Sequence, residues 1–299
     1  MSIMVKEHHV QYSECGLMIK PVAGKLGAEI EGVLLSDLVV SKDPALIETI
    51  YNLMLRHKVV FFRKQNLSPE QHESFASLFG TPGSAHPLLP SKDGYPNIFE
   101  IDYTIPESQY ISYENGSNIK YQDHGVSWHT DMTFTEEPPR CSILNGVIIP
   151  HAGGDTMWSD QVLAFSTLSK KMKDMLRGCY AIHDASQFAN SGNSLAARHP
   201  VVMSHPETGE ESLFVNKGFT RRIVDLSKPE SDAVLNLLCE HSTRYEFTVR
   251  HRWTQGDIAF ADNRVTQHAV VGDFGRTPRL INRVTLAGEK LISSLIQSS

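Results

Sequence analysis

Trp128-His129-Thr130-Asp131-Met132-Thr133-Phe134 alternates apolar with polar side chains and reads as a half-buried strand. Residues two apart in a strand point to one face, about 6.6 Å apart at a rise of ~3.3 Å per residue. His129 and Asp131 then converge, with Trp128, Met132 and Phe134 packing on the other side to hold them still. Such a pair plus one distant His can hold Fe(II) on one triangular face and leave the opposite face open. His268, which follows Asn263-Arg264-Val265-Thr266-Gln267, is the candidate third ligand.

The pair alone is weak evidence. With 14 His and 34 acidic residues in 299, one or two His-x-acid pairs arise by chance, and the chain holds two. The second, His205-Pro206-Glu207, has Pro and Gly at turn positions between Val201-Val202 and Leu213-Phe214, so it reads as an exposed hairpin turn. The first gains weight from its company. Arg279, Ile281, Arg283 and Thr285 share one side of a predicted strand over Leu280 to Leu286. Arg279 and Arg283 lie roughly 13 Å apart along it, too far to share one carboxylate but suited to two anions in one cavity. The plain alternative is a surface face carrying two cations, since Arg is mostly exposed.

Working outward, Ser142 to Ile149, Ile258 to Phe260 and the Tyr245, Phe247, Val249 alternation read as further strands. Lys58 to Phe62 is a short β-branched and aromatic run, and Leu17 to Leu35 forms short strands and turns around Gly24, Gly27 and Gly32. Helices are predicted over Pro44 to Arg56, from Pro69 to Gly80 behind a Ser68/Gln71 capping box, over Asp160 to Leu176, and after Ser227. Thr81 to Val126 is polar, with several Pro and Gly, and reads as long loops with short strands where a lid would sit. Strands dominate the second half, so the fold class is mainly β with helical cover, a barrel or jelly roll, as one domain over 1–299.

Composition narrows the rest. Net charge is −6 with pI about 6.2, which gives no sign of a nucleic-acid or anionic-membrane partner. No apolar run reaches the length of a membrane span, and the N-terminus lacks the apolar core of a signal peptide. Cys15, Cys141, Cys179 and Cys239 are scattered and read as free thiols, mostly small buried hydrophobes, in a reducing, cytoplasmic setting. His57, His72, His151, His183, His199, His241 and His251 lack a second ligand at strand spacing and read as surface or hydrogen-bonded imidazoles. His124 faces the loop before the metal pair and is a candidate gate.

Taken together, Trp128 to Phe134, Gly153-Gly154-Asp155-Thr156, Leu213-Phe214-Val215-Asn216 and Asp262 to His268 with Arg279 and Arg283 resemble the taurine/2,4-dichlorophenoxyacetate dioxygenase family. The resemblance runs from Gly27 to Gly288. It implies a double-stranded β-helix, a jelly-roll variant, with Fe(II), 2-oxoglutarate as cosubstrate and O2. It implies His129, Asp131 and His268 as iron ligands, Thr156 and Arg279 on 2-oxoglutarate, Arg283 on the acidic group of a small anionic organic substrate, and His86 in contact with that substrate. It also implies a homo-oligomer, dimer or tetramer. The chain has Leu89 and Gly125 where taurine enzymes carry Tyr and Asn. Both changes remove polar contacts, so a more apolar acid is expected: a longer sulfonate, an alkyl sulfate or an aryloxyalkanoate, with Phe188 as a further lining candidate. The expected reaction is hydroxylation next to the heteroatom, with release of succinate and CO2. Three alternatives stay open at this point: desaturation within the same family, a zinc-dependent hydrolase, and a metal-stabilised binding module.

Overall fold

The computed structural model describes residues 11–104, 127–186 and 195–294. Its backbone is an eight-stranded sheet in the order Tyr12–Glu14, Leu17–Pro21, Ala28–Glu31, Val59–Phe62, Ile258–Asp262, Cys141–Ile148, Leu280–Leu286, Ile98–Asp102. A second sheet has the order Thr248–His251, Thr156–Asp160, Thr266–Val270, and a third has Thr220–Ile223, Tyr180–Asp184, Ala196–Pro200.

Strand alternation explains the layering. Val60, Phe62, Phe260, Ile143, Val284 and Leu286 point to one face of the large sheet, where they pack with Leu53, Met54 and Phe75 from two helices. Val59, Phe61, Ala259, Ala261, Leu144 and Ile281 point to the other face and pack against Trp158 and Val249 of the second sheet. Two sheets therefore enclose one apolar layer, with helices over the outside. The helix Pro44–His57 is capped by the Asp43 carboxylate, which accepts from the Ala45 and Leu46 amides. The helix Pro69–Ser77 carries the Ser68/Gln71 capping box, a device that stabilises a helix by about 1 kcal/mol.

Several expectations are corrected. Trp128 to Phe134 is not a strand: His129 makes a single bridge to His268, and a turn follows, with Met132 at φ 50°. The Asp160 to Leu176 helix is two, Gln161–Thr167 and Lys170–Leu176, because Ser169 caps a new start by accepting from the Met172 amide. Tyr245–Phe247 is a 3-10 turn with Tyr245 in solvent, and the strand begins only at Thr248. The helix Leu35–Ser41 and the strand Thr156–Asp160 had no periodicity long enough to be read. The His205 segment is the expected hairpin, between Val202–Ser204 and Glu211–Leu213. Its His205 is nevertheless buried, with the ring 3.0 Å from Asp262. The four cysteines are free; Cys141 is buried, but Cys15 is exposed on a tight turn. Among the described residues, no helix is long and apolar enough to cross a membrane.

Candidate metal centre and anion pockets

The layer between the two sheets is apolar along most of its length and turns polar at one end. There Ser142, Arg283 and Thr285 occupy the inward positions in register with Ala261 and Leu144. The His129–His268 bridge closes that end, with His129 N–H donating to His268 C=O at 3.0 Å and His268 N–H returning 2.7 Å to His129 C=O.

This bridge brings the three predicted ligands together. Asp131 Oδ1 lies 3.7 Å from His129 Nε2 and 3.9 Å from His268 Nε2. One ligand atom from each of His129, Asp131 and His268 falls within 4.8 Å of the others. The donor chemistry fits a metal. His129 Nδ1 sits 2.9 Å from the Ser127 carbonyl, which only accepts, so Nδ1 carries the proton and Nε2 keeps its lone pair. Burial lowers the basicity of both rings, taking His268 to about 3, so both are neutral. Burial alone would raise the Asp131 carboxyl, but Arg283, His268 and His129 outweigh it and hold it well below the usual range. Arg283 Nη1 donates to Asp131 Oδ1 directly. Trp158 stacks on the His268 ring, with centroids 6.3 Å apart.

Both arginines are inside, which removes the surface alternative: Arg279 is 1% exposed and Arg283 5%. Arg279 Nε donates to Gly154 C=O at 2.9 Å and Nη2 to Thr156 Oγ1 at 3.3 Å. Tyr103 and Phe274 flank its guanidinium at 5.9 and 5.8 Å. Arg279 Nη1 has no protein partner, and burial lowers its pKa to about 10. Thr156 Oγ1 also accepts from Trp253 Nε1 at 2.9 Å, so its own proton is left to donate. A buried cation with an orphan donor beside a spare hydroxyl is a receptor for a carboxylate.

The pocket is braced from behind. Asp155 accepts from Arg250 at 2.6 Å, and Asp273 accepts from Arg250 at 3.1 Å and from Gly154 N–H at 2.9 Å. Gly154 adopts φ 72°, and a Cβ there would meet Arg279 Cδ at 3.1 Å, so the close approach of backbone to guanidinium needs glycine.

Arg283 offers a second anion grip. Its Nε and Nη2 are buried without a protein partner, and its Cζ lies 5.0 Å over Phe99. His86 stands beside it, with its ring 5.4 Å from Phe99 and 5.8 Å from Phe134. His86 Nδ1 accepts from the Leu88 and Leu89 amides, both at 3.1 Å, which fixes the proton on Nε2. Burial, helped by Arg283, lowers its pKa to about 3, so the ring is a neutral donor. Met132, Phe134, Ala185 and Phe219 form an apolar cluster next to it, with Leu88 packed against them. The structure thus gathers His129, Asp131, His268, Thr156, Arg279, Arg283, His86 and Leu89. Gly125, Phe188 and His124 lie outside the described residues.

Some contributors were not read from sequence. Asn263 brackets Asp131, accepting from its N–H at 2.9 Å and donating to its C=O at 3.1 Å. Gly218 backs His129 so closely that a Cβ would come within 2.9 Å of the His129 Cβ. Ser142 Oγ donates to Asp131 Oδ2 at 2.6 Å. Asn263 stood in the quoted motif and could have been flagged there; Ser142 and Gly218 carried no local signal.

The chain is similar to known proteins. Residues 18–285 match the model of the family described as "Taurine catabolism dioxygenase TauD, TfdA family". An alkylsulfatase of Acinetobacter baylyi is 37% identical, with 91% of this chain and 86% of that protein covered. An alpha-ketoglutarate-dependent sulfate ester dioxygenase of Pseudomonas putida is 38% identical over 91% and 90%. Among solved structures, a taurine dioxygenase from Burkholderia xenovorans superposes with TM-score 0.78 at 36% identity, covering 93% of both chains.

Proposed function

The chain belongs to the taurine catabolism dioxygenase TauD, TfdA family and is a 2-oxoglutarate-dependent dioxygenase; from that premise we propose that it oxidises small alkyl sulfate esters at the carbon bearing the ester oxygen. On this reading His129, Asp131 and His268 hold Fe(II) in a double-stranded β-helix. Arg279 and Thr156 take the far carboxylate of 2-oxoglutarate. Arg283 and His86 take the sulfate, and Leu89, Phe99 and the Met132–Phe134–Phe219 cluster receive the alkyl chain.

The observation that carries the reading is the presence of two buried arginines with unpartnered donors, Arg279 just before the strand Leu280–Leu286 and Arg283 within it, with the triad beside the second. A hydrolytic zinc site has no use for Arg279 with its orphan Nη1 and the spare Thr156 proton. Iron, when bound with 2-oxoglutarate and O2, supplies the oxidising power that hydroxylates the substrate carbon while 2-oxoglutarate becomes succinate and CO2. The chain's own residues do the positioning. Arg279 fixes one end of the cosubstrate by charge-assisted hydrogen bonds. Arg283 and the Nε2–H of His86 fix the substrate anion, and the neutral His86 donates without needing a proton from solvent. Burial of both guanidinium groups excludes water and strengthens each contact. The hydroxylated sulfate ester then loses sulfate, leaving an aldehyde.

Sulfate esters are preferred over aryloxyalkanoates because the two relatives quoted above carry sulfate ester names. They are preferred over taurine because Leu89 offers no polar side chain to an amine. The test is O2 consumption with 2-oxoglutarate against alkyl sulfates, alkyl sulfonates, taurine and aryloxyalkanoates. Alkyl sulfates must stimulate most; equal or greater stimulation by taurine refutes the assignment. A cytoplasmic dimer or tetramer is the accompanying proposal, which light scattering checks.

A further inference from the structure

We propose that Ser142 is a positioning residue that restricts Asp131 to offering one oxygen, Oδ1, to the metal; the inference rests on the metal assignment above. Asp131 lies in a turn, so no ladder of strand hydrogen bonds orients it. Two other contacts fix its main chain. Asn263 brackets its N–H and C=O and also donates to Pro139 C=O at 2.8 Å. Beyond it, Thr133 is held by His183 Nδ1, 2.9 Å from its hydroxyl, and by His199 Nε2, 2.8 Å from its carbonyl. These main-chain contacts do not set the rotation of the carboxylate about its own side-chain bonds; Arg283 Nη1 donates to Oδ1, and the orientation then depends on what holds Oδ2.

Ser142 holds Oδ2, the oxygen that Arg283 leaves free. An ionised carboxylate only accepts, so the 2.6 Å contact is Ser142 O–H donating to Oδ2. Oδ1 is then the oxygen turned toward His129 and His268. Ser142 is 2% exposed and sits across from Ala261 and Thr285 in the sheet register, so a rigid central strand aims it. A carboxylate freed of this bond can swing both oxygens toward the metal. A two-oxygen carboxylate takes a coordination position that a chelating cosubstrate needs.

The experiment titrates metal-free wild type, S142A, S142T and H268A with Co(II). It records affinity, the visible ligand-field spectrum and the melting temperature before metal is added. S142A is expected to bind Co(II) roughly 10–100-fold more weakly, the usual effect of removing a partner that orients a ligand. Its spectrum is expected to change, whether or not its metal-free melting temperature falls with the loss of a buried donor. S142T, which keeps the hydroxyl, is expected to restore both affinity and spectrum. Wild-type affinity and spectrum in S142A overturn the proposal. So does a lowered metal-free melting temperature with an unaltered spectrum, which is a purely structural effect. If S142A does not fold, S142C keeps the volume while weakening the donor, and the same two outcomes apply to it. H268A binding Co(II) like wild type instead overturns the metal assignment, a failure distinct from that of Ser142.

Discussion

Arg279 Nη2 donates to Thr156 Oγ1 at 3.3 Å while Arg279 Nη1 points at no protein acceptor. The hydroxyl thus spends its lone pairs on Arg279 and Trp253 and keeps its proton, so it and Arg279 Nη1 both remain available to donate. Replacing Arg279 by Gln removes the charge. The KM for 2-oxoglutarate should rise on the order of 10²-fold, in the range for truncating one side of a buried charge pair. Thr156→Val should raise it by about tenfold, as loss of one hydrogen bond to a charged group does. Steady-state kinetics at saturating substrate checks both; an unchanged KM in R279Q removes the assignment.

Arg283→Gln separates the two anion grips. It should abolish stimulation by any alkyl sulfate while slow decarboxylation of 2-oxoglutarate continues, because Arg279 is untouched. Arg283 also donates to Asp131, so metal content is measured alongside; if 2-oxoglutarate binding is lost while metal binding is retained, the two arginines have exchanged roles. Succinate measured with and without substrate decides between them.

The Arg279 pKa, lowered by burial to about 10, gives a pH prediction. The protonated form binds the carboxylate, so affinity holds below that value and falls as pH climbs through it. Calorimetry between pH 8 and 11 should show 2-oxoglutarate binding weaken at the upper end. In R279K the fall should appear at a different pH. Affinity flat to pH 11 contradicts the lowered pKa.

At the acid end, His72 is buried against the Ile143 carbonyl at 3.1 Å, and burial lowers its pKa to about 4. The unfolded imidazole titrates near its ordinary value of about 6.5. The contribution to stability is therefore complete above about 6.5 and is lost as pH falls from there toward 4. His72→Gln should flatten the melting temperature across that window while lowering it at neutral pH. A slope identical to wild type would show that His72 does not titrate there.

The parts of the site legible in sequence were those carried by long periodic elements or by charge at fixed spacing. Leu280–Leu286 was read correctly; Arg279 lies just before it, and both Arg279 and Arg283 are buried. The helix Pro44–His57 announced itself by Pro, cap and stripe. Asp131 was identified for a partly wrong reason. Alternation from Trp128 to Phe134 imitates a strand, yet tertiary contacts from Asn263, His183 and His199 bend it into a turn. Gly218 and Ser142 were invisible because their importance lies in what distant chain segments bring against them. Thr156 was placed through its Gly-Gly-Asp context, although the five-residue strand it opens was too short to read.

The most direct test of the whole account is product stoichiometry with a linear alkyl sulfate under limiting O2. The account predicts one sulfate and one aldehyde for each succinate formed, with no sulfate when either O2 or 2-oxoglutarate is withheld. Sulfate released together with the alcohol, without O2 or 2-oxoglutarate, would contradict it and make the site a hydrolase.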